Sequence, residues 1–391
     1  MAVTHNVNEV VATVTLTNSI KEISQNEWDL CAGIDNPFLS YDFMSSLEDS
    51  GSVSPKTGWL PQHLLYRSPS KKLIGVVPLY LKGHSYGEYV FDWGWADAFE
   101  RAGQKYFPKL LSAVPFTPVT CPKLLVCPGE DKEQVYSVLA SGLVSTLTQL
   151  NVSSLHVNFS TEGDWNFLGK DKFLKRLGIQ YHWHNDNYAS FDDFLSQLNS
   201  RKRKAIRKER KAAAASGVKI HLLTGDDIKG RHWDAFYQFY VDTSDRKWGS
   251  AYLNREFFDV LGERMADKVL LVMAEYDTML VGGALNFIGR DTLYGRNWGC
   301  LADFKFLHFE ACYYRAIDFA IERGLSRVEA GAQGHHKLQR GYTPTLTYSN
   351  HFINDAQFRE AVAEFLKQES HHVLLEKAEL EKQSPFRKIE T

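Results

Sequence analysis

The chain has 391 residues, 44% hydrophobic and 13% aromatic, with 45 basic against 47 acidic side chains. That composition excludes a disordered polymer and leaves enough apolar mass for two cores, and the near-zero net charge excludes a protein that coats nucleic acid over its whole surface. No apolar run reaches the length of a bilayer crossing, and the opening MAVTHNVNEVVATVTLTNSI lacks a basic segment followed by an apolar one, so neither a span nor a secretory leader is expected. The five cysteines (Cys31, Cys121, Cys127, Cys300, Cys312) form no C-x-x-C pair and are odd in number, which points to reduced thiols and a cytoplasmic protein.

Asn36-Pro37 is a turn signal, and a short helix is expected over about residues 40–50, stopped by Gly51. Strand-like runs follow at 63–66, 74–82 and 88–93, then helix-compatible segments near 97–111 and 133–150 around a Pro-rich loop, then a strand at 154–159. The second half repeats that order. Helical patterns cover about 232–245 and 254–265, strands follow at 269–275, 279–289 and 292–298, and a long helix runs over 304–322 to Gly324. In it Phe309, Cys312, Tyr313, Ala316, Ile317, Ala320 and Ile321 form a buried stripe at helical spacing. Strands at 327–330 and 346–354 finish the unit. A Trp-Gly pair recurs at Trp93-Gly94 and Trp298-Gly299, about half the chain apart, each read as the end of a hairpin. Repeated element order predicts two copies of one mixed α/β unit, residues 1–185 and 186–391.

A basic helix opens the second copy, over about residues 190–216. Eight of the eleven residues from 201 to 211 are Lys or Arg, and outside that run 37 basic residues face 46 acidic ones. Ser190 and Asp193 form a capping-box-like start, Phe191, Phe194, Leu195 and Leu198 an anchoring face, and Gly217 the end. Such runs are usually solvated helix faces, but eight cations so close repel one another unless an anion or acids lie nearby. Arg201, Lys202, Arg203, Arg207 and the remaining cations through Arg210 are therefore candidate contacts to donor phosphates.

The densest polar cluster, EAGAQGHHKLQRGY, begins at Glu329, just past a buried strand where α/β proteins place ligands. Three glycines, Gly331, Gly334 and Gly341, allow close approach of backbone and ligand, and Gln333 beside Gly331 joins the candidate donor contacts. Lys337 and Arg340 suit a phosphate or an oxyanion, and His336 or Glu329 could take a proton from an attacking amine. In the first half, Tyr86, Asp92, Trp93, Trp95 and Asp97 gather aromatics and acids where an acceptor amine could be held; packing aromatics with a helix cap at Asp97 is the bland alternative. His182-Trp183-His184 puts two imidazoles on one strand face, but no Cys or carboxylate stands at metal-ligand spacing and no metal is expected. His371-His372 reads as surface on a C-terminal helix.

Several of these stretches resemble the FemAB-like family of N-acyltransferases, related to the peptidoglycan aminoacyl ligases. They are the basic helix running into Gly217-Val218, the 308–324 helix followed by a strand and Gly331, and Lys337–Tyr342 with its lysine, glycine and aromatic. NPFLSYDFMSSLEDSG and HSYGEYVFDWGWADAFERAG resemble the same group, so the likeness spans most of the chain. It implies two tandem acetyltransferase-type (GNAT) domains and attack of an amine on an activated acyl carbon. The donor would be acyl-coenzyme A or aminoacyl-tRNA, bound as a co-substrate, with a peptidoglycan-type precursor among the possible acceptors. On the family pattern Lys337 contacts the donor or oxyanion, beside Arg340 and Tyr342. Acetyltransferases cradle pyrophosphate with (Gln/Arg)-x-x-Gly-x-(Gly/Ala); here the matching stretch is Arg296-Asn297-Trp298-Gly299-Cys300-Leu301, with Leu where a small residue belongs. Arg296 and Gly299 thus join the donor set. The alternative from another class is a non-catalytic module that binds RNA or an anionic envelope precursor through the basic helix.

Overall fold

The computed structural model describes residues 12–247, 250–332 and 334–387. At its centre two eleven-residue strands, Leu174–His184 and Thr343–Ile353, run antiparallel in register from Leu174 opposite His351 to His182 opposite Thr343. Each alternates, so Tyr181 and Trp183 enter one core while His182 and His184 face the other side.

Strands extend outward from that pair on both sides into one eleven-stranded sheet. Beside Leu174–His184 come Arg327–Glu329, Thr292–Cys300, Met279–Ile288, Val269–Tyr276 and Lys219–Leu223. Beside Thr343–Ile353 come Ser154–Ser160, Lys109–Ser112, Tyr80–Lys82 and Trp59–Pro61. Each flank starts with an antiparallel neighbour, continues with a parallel pair and ends in antiparallel strands. Leu174–His184 closes the first half in sequence yet sits between strands of the second, and Thr343–Ile353 closes the second yet lies against the first. The halves have exchanged their last strands. A four-stranded sheet of Thr13–Thr17, His63–Arg67, Leu73–Val77 and Leu125–Val126 backs the first half. The chain is thus two repeated mixed α/β units, as the element order predicts.

Most helices start where a side chain caps them. Ser40 accepts from the Phe43 amide at the start of Tyr41–Asp49, Asp131 from Glu133 and Gln134 at Lys132–Gln149, and Asp355 from Phe358 at Ala356–Lys382. The long helix of the second half is Leu307–Phe309, a π turn at Glu310–Tyr314 and Arg315–Glu322; Glu310 in the π turn is buried and paired with Arg210 and Arg315.

Five local expectations are corrected. The 190–216 segment is two helices, Phe191–Gln197 and Ser200–Ala214, because Leu198 is extended in a bridge to Phe386 and Asn199 caps the Lys202 amide. The 74–82 run divides into Leu73–Val77 and Tyr80–Lys82, in different sheets. Residues 88–93 are not a strand: a helix, Trp93–Arg101, begins at the first Trp-Gly pair, and Lys109–Ser112 beyond it is a strand buried on both faces. The second Trp-Gly pair lies inside Thr292–Cys300, so the two pairs are not equivalent even though the units are. Cys31 and Cys127 are joined in a disulfide, against the expectation of reduced thiols; the helix Gln25–Ala32 packs on Leu125–Val126 and brings together residues 96 apart in sequence. Among the described residues no helix is long and apolar enough to cross a membrane.

Candidate active site

Alternation in Arg327–Glu329 sends Val328 into the core and both charged residues to the opposite face. Register sets Arg327 beside His184 and Glu329 beside His182. These four line a cavity of about 710 Å³, closed by Thr120, by Leu338 and by Lys377 and Glu381 of the helix Ala356–Lys382. Four buried polar atoms on this wall make no hydrogen bond: Thr120 Oγ1, His182 Nδ1, Arg327 Nε and Glu329 Oε2. A buried polar atom left unpaired costs on the order of 1–3 kcal/mol, so four around one space mark a place where something else supplies the partners. Glu329 Oε2 is 3.9 Å from His182 Nε2, and Glu329 Oε1 is 3.3 Å from Arg327 Nε. Burial raises the Glu329 carboxyl to about 7 and depresses His182 to about 3, leaving a neutral imidazole beside a carboxyl balanced between its two forms near neutrality.

Above Glu329 the parallel strands separate. Thr292–Tyr294 pairs with Arg327–Glu329, whereas Gly295–Cys300 continues beside Met279–Ile288 alone, and Ala330 and Gly331 turn toward Tyr181. Arg296 projects from the free stretch, half-buried, donates to the Phe116 carbonyl and hydrogen-bonds Tyr89. Among the described residues it has no carboxylate within ion-pairing distance, although the field of Arg296 reaches Glu329. Lys337 is buried at the end of the strand, donating to the carbonyls of Ala330 and Gly331; burial lowers its ammonium to about 8.

The other predicted residues divide sharply. Gly331 has a left-handed φ of 75° and open space where a Cβ would stand. His336 bonds Tyr313 at 2.9 Å within an aromatic cluster of His308 and Phe309, turned from Glu329. Arg340 is buried, one terminal nitrogen donating to both Glu209 carboxylate oxygens at 2.8 and 2.9 Å, and stacked 3.4 Å from the Phe309 ring. It locks the basic helix to the loop. Tyr342 lies in the core with its hydroxyl on the Tyr313 carbonyl. The phosphate loop expected at 296–301 is strand through Cys300, and a Cβ at Gly299 would lie 2.2 Å from the Phe239 carbonyl oxygen, so this glycine admits the helix Gly230–Lys247. Gln333 lies outside the described residues.

On Ser200–Ala214 only part of the charge is available. Arg201, Lys204, Arg207, Lys208 and Lys211 are exposed, Arg207 pairing with Asp192 at 2.8 Å. Lys202 and Arg203 are half-buried, Arg203 reaching the Ser196 and Leu198 carbonyls, and Arg210 is held by Glu310 and Asp318.

Of the first-half set, Asp92 and Trp95 converge on His156, Tyr86 and Trp93 meet each other at the surface, and Asp97 joins neither. Asp92 accepts from Lys109 and from Tyr106 at 2.6 Å; Lys109 also bonds Glu88 and Ser85, each at 2.8 Å. His156 and His351 join Nδ1 to Nδ1 at 2.7 Å beneath Trp95. Tyr86 and Trp93 are exposed and packed edge to face, and Asp97 is exposed inside the helix, where it caps nothing. Sequence reasoning missed Lys82, Glu88, Lys109, His156, His351 and Arg327. Lys82 and Lys109 had a signal, a cation inside an apolar strand; Arg327 and Glu329 alternate as His182 and His184 do, which marks a shared polar face.

A family profile described as peptidoglycan biosynthesis/recognition matches residues 19–388. The chain belongs to the FemAB-like family. No curated protein sequence is significantly similar to it. Among solved structures this FemAB-like chain is similar to FemX, with 10% identity over 87% of this chain and 98% of that one and a TM-score of 0.55. It is also similar to the C-terminal domain of a putative lysylphosphatidylglycerol synthetase from Agrobacterium fabrum, at 9% identity, 90% and 97% coverage and a TM-score of 0.56. The L-PGS of Bacillus licheniformis aligns at 9% identity over 86% and 98%, with a TM-score of 0.50. At such identities the likeness is one of fold. The FemAB-like profile supports an acyl or aminoacyl transferase.

Proposed function

We propose that this FemAB-like protein transfers an acyl or aminoacyl group from an activated donor to an amine, with Glu329 as the proton acceptor. The observation that carries the reading is Glu329 itself. It is buried, has one oxygen free on the cavity, and ionises near neutrality, as a general base for an ammonium nucleophile must. Arg296, a cation without a carboxylate partner next to the strand separation, is placed to meet negative charge, either a donor phosphate or the oxyanion that forms when nitrogen attacks. His182, kept neutral, can accept from or donate to the attacking amine without competing for its charge. His336 is set aside as the base because its Nε2 is engaged with the Tyr313 hydroxyl and it does not line the cavity of Glu329.

In the step itself the ammonium passes one proton to Glu329, the freed amine attacks the acyl carbon, the carbonyl oxygen gathers charge opposite Arg296, and as the amide forms the nitrogen sheds a second proton that leaves with the donor's thiol or hydroxyl. No covalent enzyme intermediate is needed, and the gain comes from positioning and charge placement. The donor is read as acyl-coenzyme A or aminoacyl-tRNA, both polyanions, with the exposed cations Arg201, Lys204 and Lys208 as outer contacts.

The test is thermal stabilisation by acetyl-coenzyme A and by charged and uncharged tRNA at two salt concentrations, followed by transfer to a panel of amines. Stabilisation by one donor together with turnover that Glu329→Gln abolishes is the expected result. Binding of RNA without turnover, unchanged by Glu329→Gln, would make the protein a recognition module instead.

A further inference from the structure

We infer that the acceptor carries a carboxylate next to its reacting amine and that Arg327 selects it. The inference rests on the Glu329 reading, because it names the substrate class of that cavity. Arg327 and Glu329 stand two residues apart on one strand, on the same face, in the rungs opposite His184 and His182. Their side chains converge, with Arg327 Nε 3.3 Å from Glu329 Oε1, yet neither Arg327 Nε nor Glu329 Oε2 makes a hydrogen bond. Arg327 is also oriented from behind, donating through one terminal nitrogen to Thr292 Oγ1 at 3.0 Å. A pre-oriented guanidinium with an idle N–H beside a carboxyl with an idle oxygen is a split site, one half asking for an acceptor and the other for a donor.

A simple amine satisfies only the Glu329 half and leaves the guanidinium facing its own ammonium. A simple carboxylate satisfies only Arg327 and meets the Glu329 carboxyl. A group bearing both charges, one or two bonds apart, matches each half with its opposite. Thr120 Oγ1 and His182 Nδ1, also unpaired on the wall, offer neutral contacts to either end. The cavity, about 710 Å³, lies inside the ~300–1,000 Å³ span of small-molecule sites and exceeds what one amino acid fills. The reacting group is therefore the amino-acid-like end of a longer acceptor, whose remainder runs past Thr343 and Thr345 toward Lys377 and Glu381.

Alanine, alaninamide and propionate serve as minimal probes, titrated into the full-length protein by calorimetry and NMR. Alanine is expected to bind at least tenfold more tightly than either of the others. Arg327→Gln should remove that preference, and Arg327→Lys should restore part of it, which a merely structural arginine would not do. Circular dichroism of each variant checks that the fold is retained. Equal binding of alanine and alaninamide to the native protein, or an unaltered preference in a folded Arg327→Gln, overturns the inference, as does absence of binding by all three. Transfer assays separate the two readings. Acyl transfer to alaninamide as fast as to alanine keeps the transferase and removes the carboxylate site, whereas alanine selectivity with no transfer from any donor keeps the site and removes the reaction.

Discussion

The two halves of this protein place buried charge on equivalent parts of one sheet and treat it in opposite ways. In the first, Lys82 and Lys109 are neutralised by Glu88 and Asp92, with Ser85, Tyr106 and the His156–His351 pair in the same network, and although Glu88 Oε1, Asp92 Oδ1 and His351 Nε2 make no hydrogen bond, each buried cation has its carboxylate. In the second, Arg296 has no carboxylate partner among the described residues, and Glu329 and Arg327 keep unpaired atoms on a cavity. The separation of parallel strands differs too. Beyond Lys109–Ser112 the first half refills its own opening, since the Cys121 amide and the Lys123 ammonium both donate to the Phe159 carbonyl. The second half leaves the corresponding stretch after Tyr294 with one neighbour. The first half carries its buried cations as paired scaffold and the second borders a cavity, and it is on this contrast that the proposed chemistry rests.

Mutations that trade the roles of the halves test this contrast. The largest effect belongs to Glu329→Gln. Losing the proton acceptor should lower the transfer rate about 10²–10⁴-fold with the fold retained. The native pH profile of kcat/KM should rise through about 7 as Glu329 ionises and, if Lys337 acts as a cation, fall above about 8; the rising limb should vanish in the variant. Stability carries a matching sign. Folding raises Glu329 from 4.5 to about 7, so the folded state holds a proton that the unfolded chain has released, and stability declines as pH rises across that window and levels off above it. Glu88, raised likewise to about 7, keeps its own share of the slope when Glu329 is replaced.

Next comes the closed half. Lys109→Met strands Glu88 and Asp92 without their cation and should destabilise by about 3–5 kcal/mol in denaturant unfolding. Arg296→Met strands no carboxylate and should change stability by no more than about 1 kcal/mol while weakening donor binding. Equal losses in the two variants would erase the distinction between scaffold and site. Lys337 sharpens it further, because Lys123 caps strand-end carbonyls in the first half much as Lys337 does in the second. Turnover unchanged in Lys337→Ala would reduce Lys337 to the same structural cap.

Smaller effects follow at the glycines and the basic helix. Gly299→Ala drives a methyl group into the Phe239 carbonyl and should cost about 1–3 kcal/mol through overpacking. Gly331→Ala meets open space and should cost about 1–2 kcal/mol through its left-handed backbone alone. Removing Lys204 and Lys208 together should leave stability intact. With an RNA donor it should flatten the salt dependence of binding by somewhat more than one unit of log–log slope, at roughly 0.7 per phosphate contact on single strands.

Legibility followed the range of the interaction. The capped helix after Ser40, the anchoring face of Phe194, Leu195 and Leu198 and the buried stripe of the long helix were readable because periodicity and capping act over one or two turns. Glu329, Gly331 and Lys337 stood out because they crowd one short segment, and the structure brings them to the same strand end. Arg340 and Tyr342 were misjudged for the same reason: adjacency in sequence says nothing of which side chain turns to Glu209, to the core or to the cavity. Gly299 looked like a phosphate contact, and only the helix lying across it explains why a side chain is forbidden.

By itself, the sequence determined a repeated mixed α/β chain, a basic segment at the junction of the repeats and a chemical cluster after the strand at Glu329. These are local or periodic properties, written in residues that are neighbours along the chain. Tertiary structure alone decided the exchange of last strands, the pairing of Cys31 with Cys127, the saturation of Lys82 and Lys109, and the meeting of Arg327, Glu329 and His182 around one cavity. Each of these depends on contacts between segments separated in sequence, and where the contact is a strand pair a shift of one residue would turn every side chain of the pair to the other face.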